Sequence, residues 1–274
     1  MRLWIRHESL YRYDVPVTLG PHRLRLSPRS ERVHVLEHRV LVEPQPVECV
    51  DELDMLGNPT KRLQFTGSTQ LLRVVSELDV ETHAPSTAPV FARLPLLPDA
   101  ADGLASYRGF QPDPSVVEFA GAVRSEAGTD AISFLNHLCQ TLYRRMDRHV
   151  RPSGAARTAR ETLALGSGAC RDISVLFMEA ARSMGLASRF VSGYQAQAET
   201  PDGQRYLHAW AEVFLPGAGW RGWDATHGVP VSDGHVALCA APSQEGTMPI
   251  EGGFFFNGPV VNSTLDHSVR IRTA

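Results

Sequence analysis

Alternating hydrophobic and polar positions dominate the first third of the chain. Short segments rich in Val, Leu, Tyr and Thr, such as "LWIRHESLYRYDV" (3–15) and "LLRVVSELDVETH" (71–83), place apolar side chains at alternate positions over part of their length. Turn signals such as "GNP" at 57–59 separate these segments. The pattern predicts an antiparallel β-sandwich domain over residues 1–83.

The pattern changes after residue 83. Residues 84–112 begin with a proline-rich stretch that lacks clear periodicity, and we interpret them as a connector along the surface. Helical spacing follows at 130–146, where Asp130 is a candidate N-cap and Cys139 a candidate core residue. We therefore expect a second domain over residues 113–274.

A second helix and two strands follow in this domain. Apolar residues at 173–184 recur at the spacing of one buried helix face. Residues 205–215 alternate as a strand does, and a tight turn separates them from a short strand at 220–226. The fold class predicted for the whole chain is therefore α+β, with helices packed on an antiparallel sheet in the second domain.

Composition and charge exclude several classes of function. The chain has 274 residues, 43% of them hydrophobic, and a net charge of -3, so it lacks the basic surface of a nucleic-acid-binding protein. It contains no apolar run long enough to span a membrane and no signal-peptide pattern. We expect a soluble, cytoplasmic protein without nucleic-acid or membrane partners.

Cys170 lies in the sequence "GSGACRD", directly before the second helix, rather than on the apolar face of that helix. The positive end of the helix dipole and the unpaired N–H groups of the first turn would favour a thiolate there. The Cys170 N–H could also bind a developing oxyanion. A structural cysteine is the alternative, and this position by itself does not decide between the two.

His208 and Asp224 could complete a catalytic group. Antiparallel pairing of the two strands would bring Asp224 close to His208, and a thiolate nucleophile needs such a base and an orienting group. We expect all three side chains to lie in a cleft. A structural histidine on a strand face is the alternative for His208.

Neighbouring polar residues have simpler interpretations. Asp172 is expected to cap the helix or to hold the Cys170 loop through backbone N–H groups. Glu212 could pair with an arginine, and Trp210 could either line the site or belong to the core. His227 and His235 lack a convincing set of metal ligands, so we expect no metal and no cofactor.

Two stretches and the spacing between them resemble the bacterial transglutaminase-like superfamily: "GSGACRDISVLFMEAARSMGLASRFVSGY" and "HAWAEVFLPGAGWRGWDATHG". "YRYDVPV", "LRLSPR" and "LDMLGNP" are similar to pieces of the β-rich domain that precedes this core in many bacterial members. The resemblance implies a papain-like core with Cys170 as nucleophile, His208 as base and Asp224 as third member. The chain departs from the family pattern at Ala225, where proline is usual, and at His227, where asparagine is frequent.

The expected function is a cysteine enzyme that acts on peptide or protein amides through a thioester acyl-enzyme. Water as acceptor makes it an amidase or peptidase, and a primary amine makes it a transglutaminase. We favour hydrolysis, because water is always present and no sequence feature marks an amine channel. The alternative is an inactive core that serves as a peptide- or protein-binding module.

Overall fold

The computed structural model describes residues 1–85, 90–96, 103–109, 111–151, 153–197, 204–258 and 260–273. The strands of its first part are β1 (Arg2–Leu24), β2 (Val33–Glu43), β3 (Glu48–Leu53), β4 (Pro59–Gln64) and β5 (Thr69–Thr82). The middle part contains α1 (Ala105–Arg108), α2 (Pro114–Ala127), α3 (Ala131–Arg145), β6 (Asp147–Arg148), α4 (Ala159–Leu165), β7 (Ser167–Gly168) and α5 (Cys170–Arg182). The last part contains β8 (Ser188–Gln195), β9 (His208–Leu215), β10 (Gly219–Asp224), β11 (Val229–Pro230), β12 (His235–Ala241), a 3₁₀ turn (Gln244–Thr247), β13 (Ile250–Phe255) and β14 (Ser263–Thr273).

The strands form two main antiparallel sheets. The first has the order β2-β5-β1-β4-β3, and the second has the order β11-β10-β9-β8-β12. β1 is 23 residues long, and its register with β5 shifts between Arg12 and Val17, so its two halves pair with different neighbours. The early strands therefore form a sheet separate from the one that carries His208.

The last two strands of the predicted 113–274 domain pair with β1 of the first sheet. β14 pairs with β1 over eleven residues, from Leu3 opposite Thr273 to Tyr13 opposite Ser263, and β13 pairs with the second half of β1. The physical reason is that β1 offers two long edges, and strands from distant parts of the chain satisfy its backbone groups. The domain division itself stays a prediction.

A shared apolar layer joins the two sheets. One buried cluster combines β1 and β5 residues such as Leu3 and Leu78 with Tyr194 of β8 and with Val236 and Leu238 of β12. The first sheet therefore packs on one face of the second sheet, and residues of both sheets share this buried cluster. The opposite face of the second sheet packs on the helices in a larger cluster, which includes Phe134, Leu176 and Phe177.

A side-chain hydrogen bond determines where α3 begins. Asp130 accepts a hydrogen bond from the Ser133 N–H at 2.8 Å, which confirms it as the N-cap of α3.

The predicted connector at 84–112 lies partly outside the described residues. Of its described part, Ala92 and Leu94 are buried against the helices, so this stretch does not run only along the surface.

Asn58, in the "GNP" turn between β3 and β4, docks the first sheet on the second. Its side chain is fully buried, and its Oδ1 accepts the Ala240 N–H at 2.8 Å while its Nδ2 donates to the Ala240 carbonyl at 3.0 Å. Asp54 holds the turn by accepting the N–H groups of Leu56 and Asn58. This pair of bonds gives the turn sequence a structural role between the sheets.

Replacing Asn58 with Ala should destabilise the protein by about 2–3 kcal/mol, because two buried backbone groups of Ala240 would lose their partners. Asn262→Ala is the matched control: Asn262 bonds Asp14 at the surface, and its loss should cost less than about 1 kcal/mol. Urea unfolding of the three proteins measures both values. Equal losses in the two variants would contradict this role for Asn58.

Candidate active site

Two glycines shape the entrance to α5. Gly166 ends α4 in the left-handed conformation, with φ of 62°, as a residue without a Cβ does most readily. A Cβ on Gly168 would lie 2.9 Å from the Asp172 Cβ, so no larger side chain fits there without a shift. The backbone therefore turns sharply, and α5 begins at Cys170.

The Asp172 carboxylate holds this entrance in place. It is fully buried, and it accepts the N–H of Ala169 at 2.9 Å, the N–H of Arg157 at 2.8 Å and an N–H of the Arg151 guanidinium. Burial alone would raise its pKa, but these hydrogen bonds lower it. Asp172 thus both caps the helix and ties it to the preceding loop, as the sequence predicted.

First-turn N–H groups remain beside the Cys170 sulfur. The N–H groups of Asp172 and Ile173 donate to the Ala169 carbonyl at 2.9 and 3.1 Å. Within the described part of the chain, the N–H groups of Cys170 and Arg171 have no such acceptor. They are therefore the available donors of this helix entrance.

Strand pairing brings His208 to Asp224. β9 and β10 are antiparallel, with Trp223 opposite Ala211, so the end of β10 reaches the beginning of β9. The His208 Nε2 lies 2.8 Å from the Asp224 Oδ2. Asp224 is fully buried rather than in an open cleft, so the expectation that all three side chains would line the cleft is wrong for this residue.

Cys170 meets the other side of the same imidazole. The thiol and the His208 ring lie close enough to shift each other's pKa, and because Nε2 faces Asp224, Nδ1 is the nitrogen left for the sulfur. Burial raises the pKa of Cys170, but the hydrogen bond to His208 and the charges of His208 and Arg171 lower it below its ordinary value. Burial lowers the pKa of His208, but Asp224 and Cys170 raise it to about 10. These shifts favour a thiolate–imidazolium pair.

Three imidazoles surround one carboxylate oxygen. The Asp224 Oδ2 lies 2.8 Å from His227 Nδ1 and 3.2 Å from His235 Nε2, in addition to His208. An ionised carboxylate only accepts hydrogen bonds, so each of these nitrogens carries a proton. The Ser232 N–H donates to His235 Nδ1 at 3.3 Å, which leaves His235 neutral. Its pKa is lowered accordingly, mainly by burial.

The contacts of His227 and His235 with Asp224 were not predicted, and only His227 has a local cue in the sequence. His227 follows Asp224 by three residues in the same turn, whereas His235 reaches the site only through the fold. His208, Asp224 and His227 also lie close enough together to be considered as metal ligands. Two ligands of one tetrahedral zinc ion lie roughly 3.3 Å apart. The two 2.8 Å contacts instead have the length of charge-assisted hydrogen bonds.

Cys170 opens onto a cleft of about 690 Å³. The second sheet contributes His208 to its wall, and residues 148–151 and 153–155 line another side. The first sheet supplies a third side through Tyr11 of β1 and His267 of β14. An isolated bridge between Arg205 and Val269 ties β14 to the segment that leads into β9. The first sheet therefore forms part of the wall that faces the nucleophile.

The other residues considered for the site belong to the core or to a buried ion pair. Cys139 and Cys239 are buried, and burial raises the pKa of each thiol to about 12. Trp210 is fully buried between Val191 and Val231, so it belongs to the core rather than to the cleft. Glu212 forms a buried ion pair with Arg189 at 2.6 Å, the arginine pairing considered for it above.

Two regions of the chain match models of known protein families. Residues 3–81 match the model of the bacterial transglutaminase-like N-terminal region, and residues 118–225 match that of the transglutaminase-like superfamily. An uncharacterised protein of Mycobacterium tuberculosis is 26% identical over 98% of this chain and 92% of its own length. One of Mycobacterium leprae is 23% identical over 92% of each chain.

One solved structure shares the fold over almost the full chain. It is the crystal structure of a candidate cysteine protease from Cytophaga hutchinsonii, with a TM-score of 0.75 and 20% identity. The match covers 99% of this chain and 90% of that protein. At this level of identity the likeness concerns the fold alone.

Alkylation of Cys170 by iodoacetamide should be half-maximal at a pH below about 8.5, the ordinary thiol value, because the pKa of Cys170 is lowered. Its rate therefore rises at lower pH than that of a normal thiol and then levels off. Mass spectrometry of peptides after timed labelling gives the rate at each site. Exposed Cys49 is the internal comparison, and buried Cys139 and Cys239 should label slowly. Equal rates at Cys170 and Cys49 at neutral pH would contradict the thiolate.

Asp172→Asn should destabilise the protein by about 2–4 kcal/mol and slow the labelling of Cys170. The amide would place an NH₂ group or a neutral oxygen where the carboxylate serves three donors. Asp113→Asn is the matched control, since asparagine caps a helix as well as aspartate does and the change should stay within about 0.5 kcal/mol. Thermal melts and labelling rates test both, and a stable Asp172→Asn protein with normal labelling would remove this role from Asp172.

Proposed function

Because the chain belongs to the transglutaminase-like superfamily, we propose that it is a cysteine enzyme that acts on amide bonds through a thioester acyl-enzyme. The observation that carries the proposal is the contact chain from Cys170 through His208 to the buried Asp224. A thiol, an imidazole and a carboxylate in this order are the arrangement of a nucleophile, a base and an orienting group. The cytoplasmic location stays a prediction.

In the first half of the reaction, the Cys170 thiolate attacks the carbonyl carbon of the amide. The negative charge moves to the carbonyl oxygen, beside the N–H groups of Cys170 and Arg171. The His208 imidazolium then donates its proton to the departing amine as the C–N bond breaks. The products of this half are a free amine and a thioester on Cys170.

In the second half, His208 is neutral and acts as the base. Its Nδ1 removes a proton from water, the oxygen attacks the thioester carbon, and the thiolate departs from the tetrahedral intermediate. A carboxylic acid leaves and the imidazolium is restored. A primary amine in place of the water would form a new amide instead.

Asp224 has a supporting role in both halves. Its carboxylate fixes the orientation of the His208 ring and stabilises the imidazolium, while His227, His235 and two backbone N–H groups hold the carboxylate itself. The reaction therefore leaves Asp224 ionised throughout, consistent with a pKa well below its ordinary value. Burial opposes this lowering, but the charge and hydrogen bond of His208 outweigh it.

Hydrolysis is the favoured outcome. Water reaches an open cleft at a concentration that no amine approaches, and an amine acceptor would need its own binding site beside the thioester. Peptide and protein amides are the proposed substrates, since the cleft of about 690 Å³ has room for several residues of an extended chain.

Activity should decrease in a fixed order across variants. Cys170→Ala should abolish turnover, because it removes the nucleophile. His208→Ala should be nearly as severe, because it removes the group that transfers the proton. Asp224→Asn should leave roughly ten- to a hundred-fold more residual activity than these two, because the carboxylate acts through the imidazole. Since Asp224 is fully buried, circular dichroism must show that this variant is folded.

Mass spectrometry of a peptide library incubated with each protein, with and without a primary amine, measures turnover and identifies the acceptor. Cys139→Ser is the control: it should keep its activity and lose thermal stability, because it places a hydroxyl in a buried helix face. Turnover by Cys170→Ala would overturn the proposal. A lack of turnover by the unchanged protein, with slow and uniform labelling of all four cysteines, would favour a binding module.

A further inference from the structure

Positive charge is concentrated beside the nucleophile, although the chain as a whole carries a net charge of -3. Among the described residues, four arginines line the cleft onto which Cys170 opens: Arg148, Arg151, Arg171 and Arg205. Two glutamates, Glu245 and Glu251, also line it, and Glu251 already pairs with Arg25 at 2.8 Å. The region next to the sulfur therefore has more guanidinium than carboxylate charge.

Arg171 directly follows Cys170, and within the described residues it forms no ion pair with a carboxylate. Its Nη2 donates to the Ser153 carbonyl at 2.7 Å. Its Nε is a buried donor for which the described residues supply no acceptor. A half-buried guanidinium usually gains a carboxylate partner, since removal of the charge from water is otherwise uncompensated.

The neighbouring carboxylate is engaged elsewhere. Asp172 pairs with Arg151 and also accepts the N–H groups of Ala169 and Arg157, and within the described residues no ion pair joins it to Arg171. Arg151 and Arg171 thus share the surroundings of one carboxylate and repel each other. Burial and this repulsion both lower the pKa of Arg171, in agreement with the geometry.

Thiolate stabilisation does not account for both arginines. Arg171 does favour the Cys170 thiolate, but the hydrogen bond and charge of His208 contribute more. The largest contributions to the pKa of Cys170 come from burial, His208, Arg171 and the Ala209 N–H. A second guanidinium on the same side of the cleft points to a ligand with its own negative charge.

We propose that Arg171 and Arg151 form an anionic subsite beside Cys170 that binds a carboxylate of the substrate within one or two residues of the scissile amide. Guanidinium groups match carboxylates in both charge and geometry. The carboxylate is either an aspartate or glutamate side chain or the free C-terminus of a peptide. This inference rests on the proposed function, because it assigns the substrate class for the same nucleophile.

Two alkylating reagents of similar size test the subsite without turnover. Iodoacetate carries a carboxylate and iodoacetamide does not, so the ratio of their rates at Cys170 cancels the reactivity of the thiolate itself. In the unchanged protein, iodoacetate should alkylate Cys170 with saturation kinetics, and acetate should protect against it. Arg171→Gln should lower the iodoacetate-to-iodoacetamide ratio at least ten-fold and abolish the saturation.

Arg160→Gln is the charge-matched control, because Arg160 is 73% exposed on α4 and should leave the ratio within two-fold of the unchanged protein. A ratio that is unaffected by Arg171→Gln, or a linear iodoacetate rate in the unchanged protein, would overturn the subsite while rapid iodoacetamide labelling still supports the nucleophile. Slow labelling of Cys170 by both reagents would instead overturn the proposed function.

Peptides with matched sequences separate the two sources of the carboxylate. One set carries glutamate or glutamine near the scissile bond with an amidated C-terminus, and the other has a free or an amidated C-terminus without acidic residues. A ten-fold or greater preference in kcat/KM for the acidic member of either set, lost in Arg171→Gln, supports the subsite and identifies its source. Equal turnover of all members would overturn it.

Discussion

The buried carboxylate of Asp224 is the constraint on which the geometry of the site depends. An unpaired charge without contact to water would be strongly unfavourable, so the fold must supply donors from several elements. His208 comes from β9, His227 from the turn after β10 and His235 from the start of β12. These three elements converge at one end of the second sheet, and His208 gains a fixed ring orientation as a consequence.

Two buried carboxylates, those of Asp224 and Asp172, fix the positions of the imidazole and of the helix entrance. Asp224 holds the imidazole, whereas Asp172 holds the helix entrance and one of the arginines beside it. The Cys170 sulfur lies where the two supports meet, since its helix is anchored by Asp172 and its partner by Asp224. Because each support uses backbone N–H groups as well as side chains, the positions of the sulfur and the ring depend on the fold rather than on the pair alone.

The sequence allowed Cys170, His208 and Asp224 to be selected because the cues are local. A glycine-rich helix entrance, an alternating strand and a tight turn each leave a pattern within about ten residues. The pairing of β14 with β1 and the approach of His235 leave no such pattern, since they depend on contacts across the whole chain. The sequence shows that an arginine follows Cys170. Whether this arginine has a carboxylate partner depends on how the chain packs.

The first sheet completes the cleft through contacts of very high sequence separation. β1 and β14 pair over eleven residues, and Tyr11 and His267 on these strands face the same cleft as Cys170. Contacts of this kind carry a loop-closure cost that contacts within one local element do not. The chemistry of the helix entrance is therefore fixed by local elements, whereas the shape of the substrate wall depends on strands outside the catalytic core. Changes on β1 or β14 can thus alter which substrates fit while the contacts among Cys170, His208 and Asp224 stay the same.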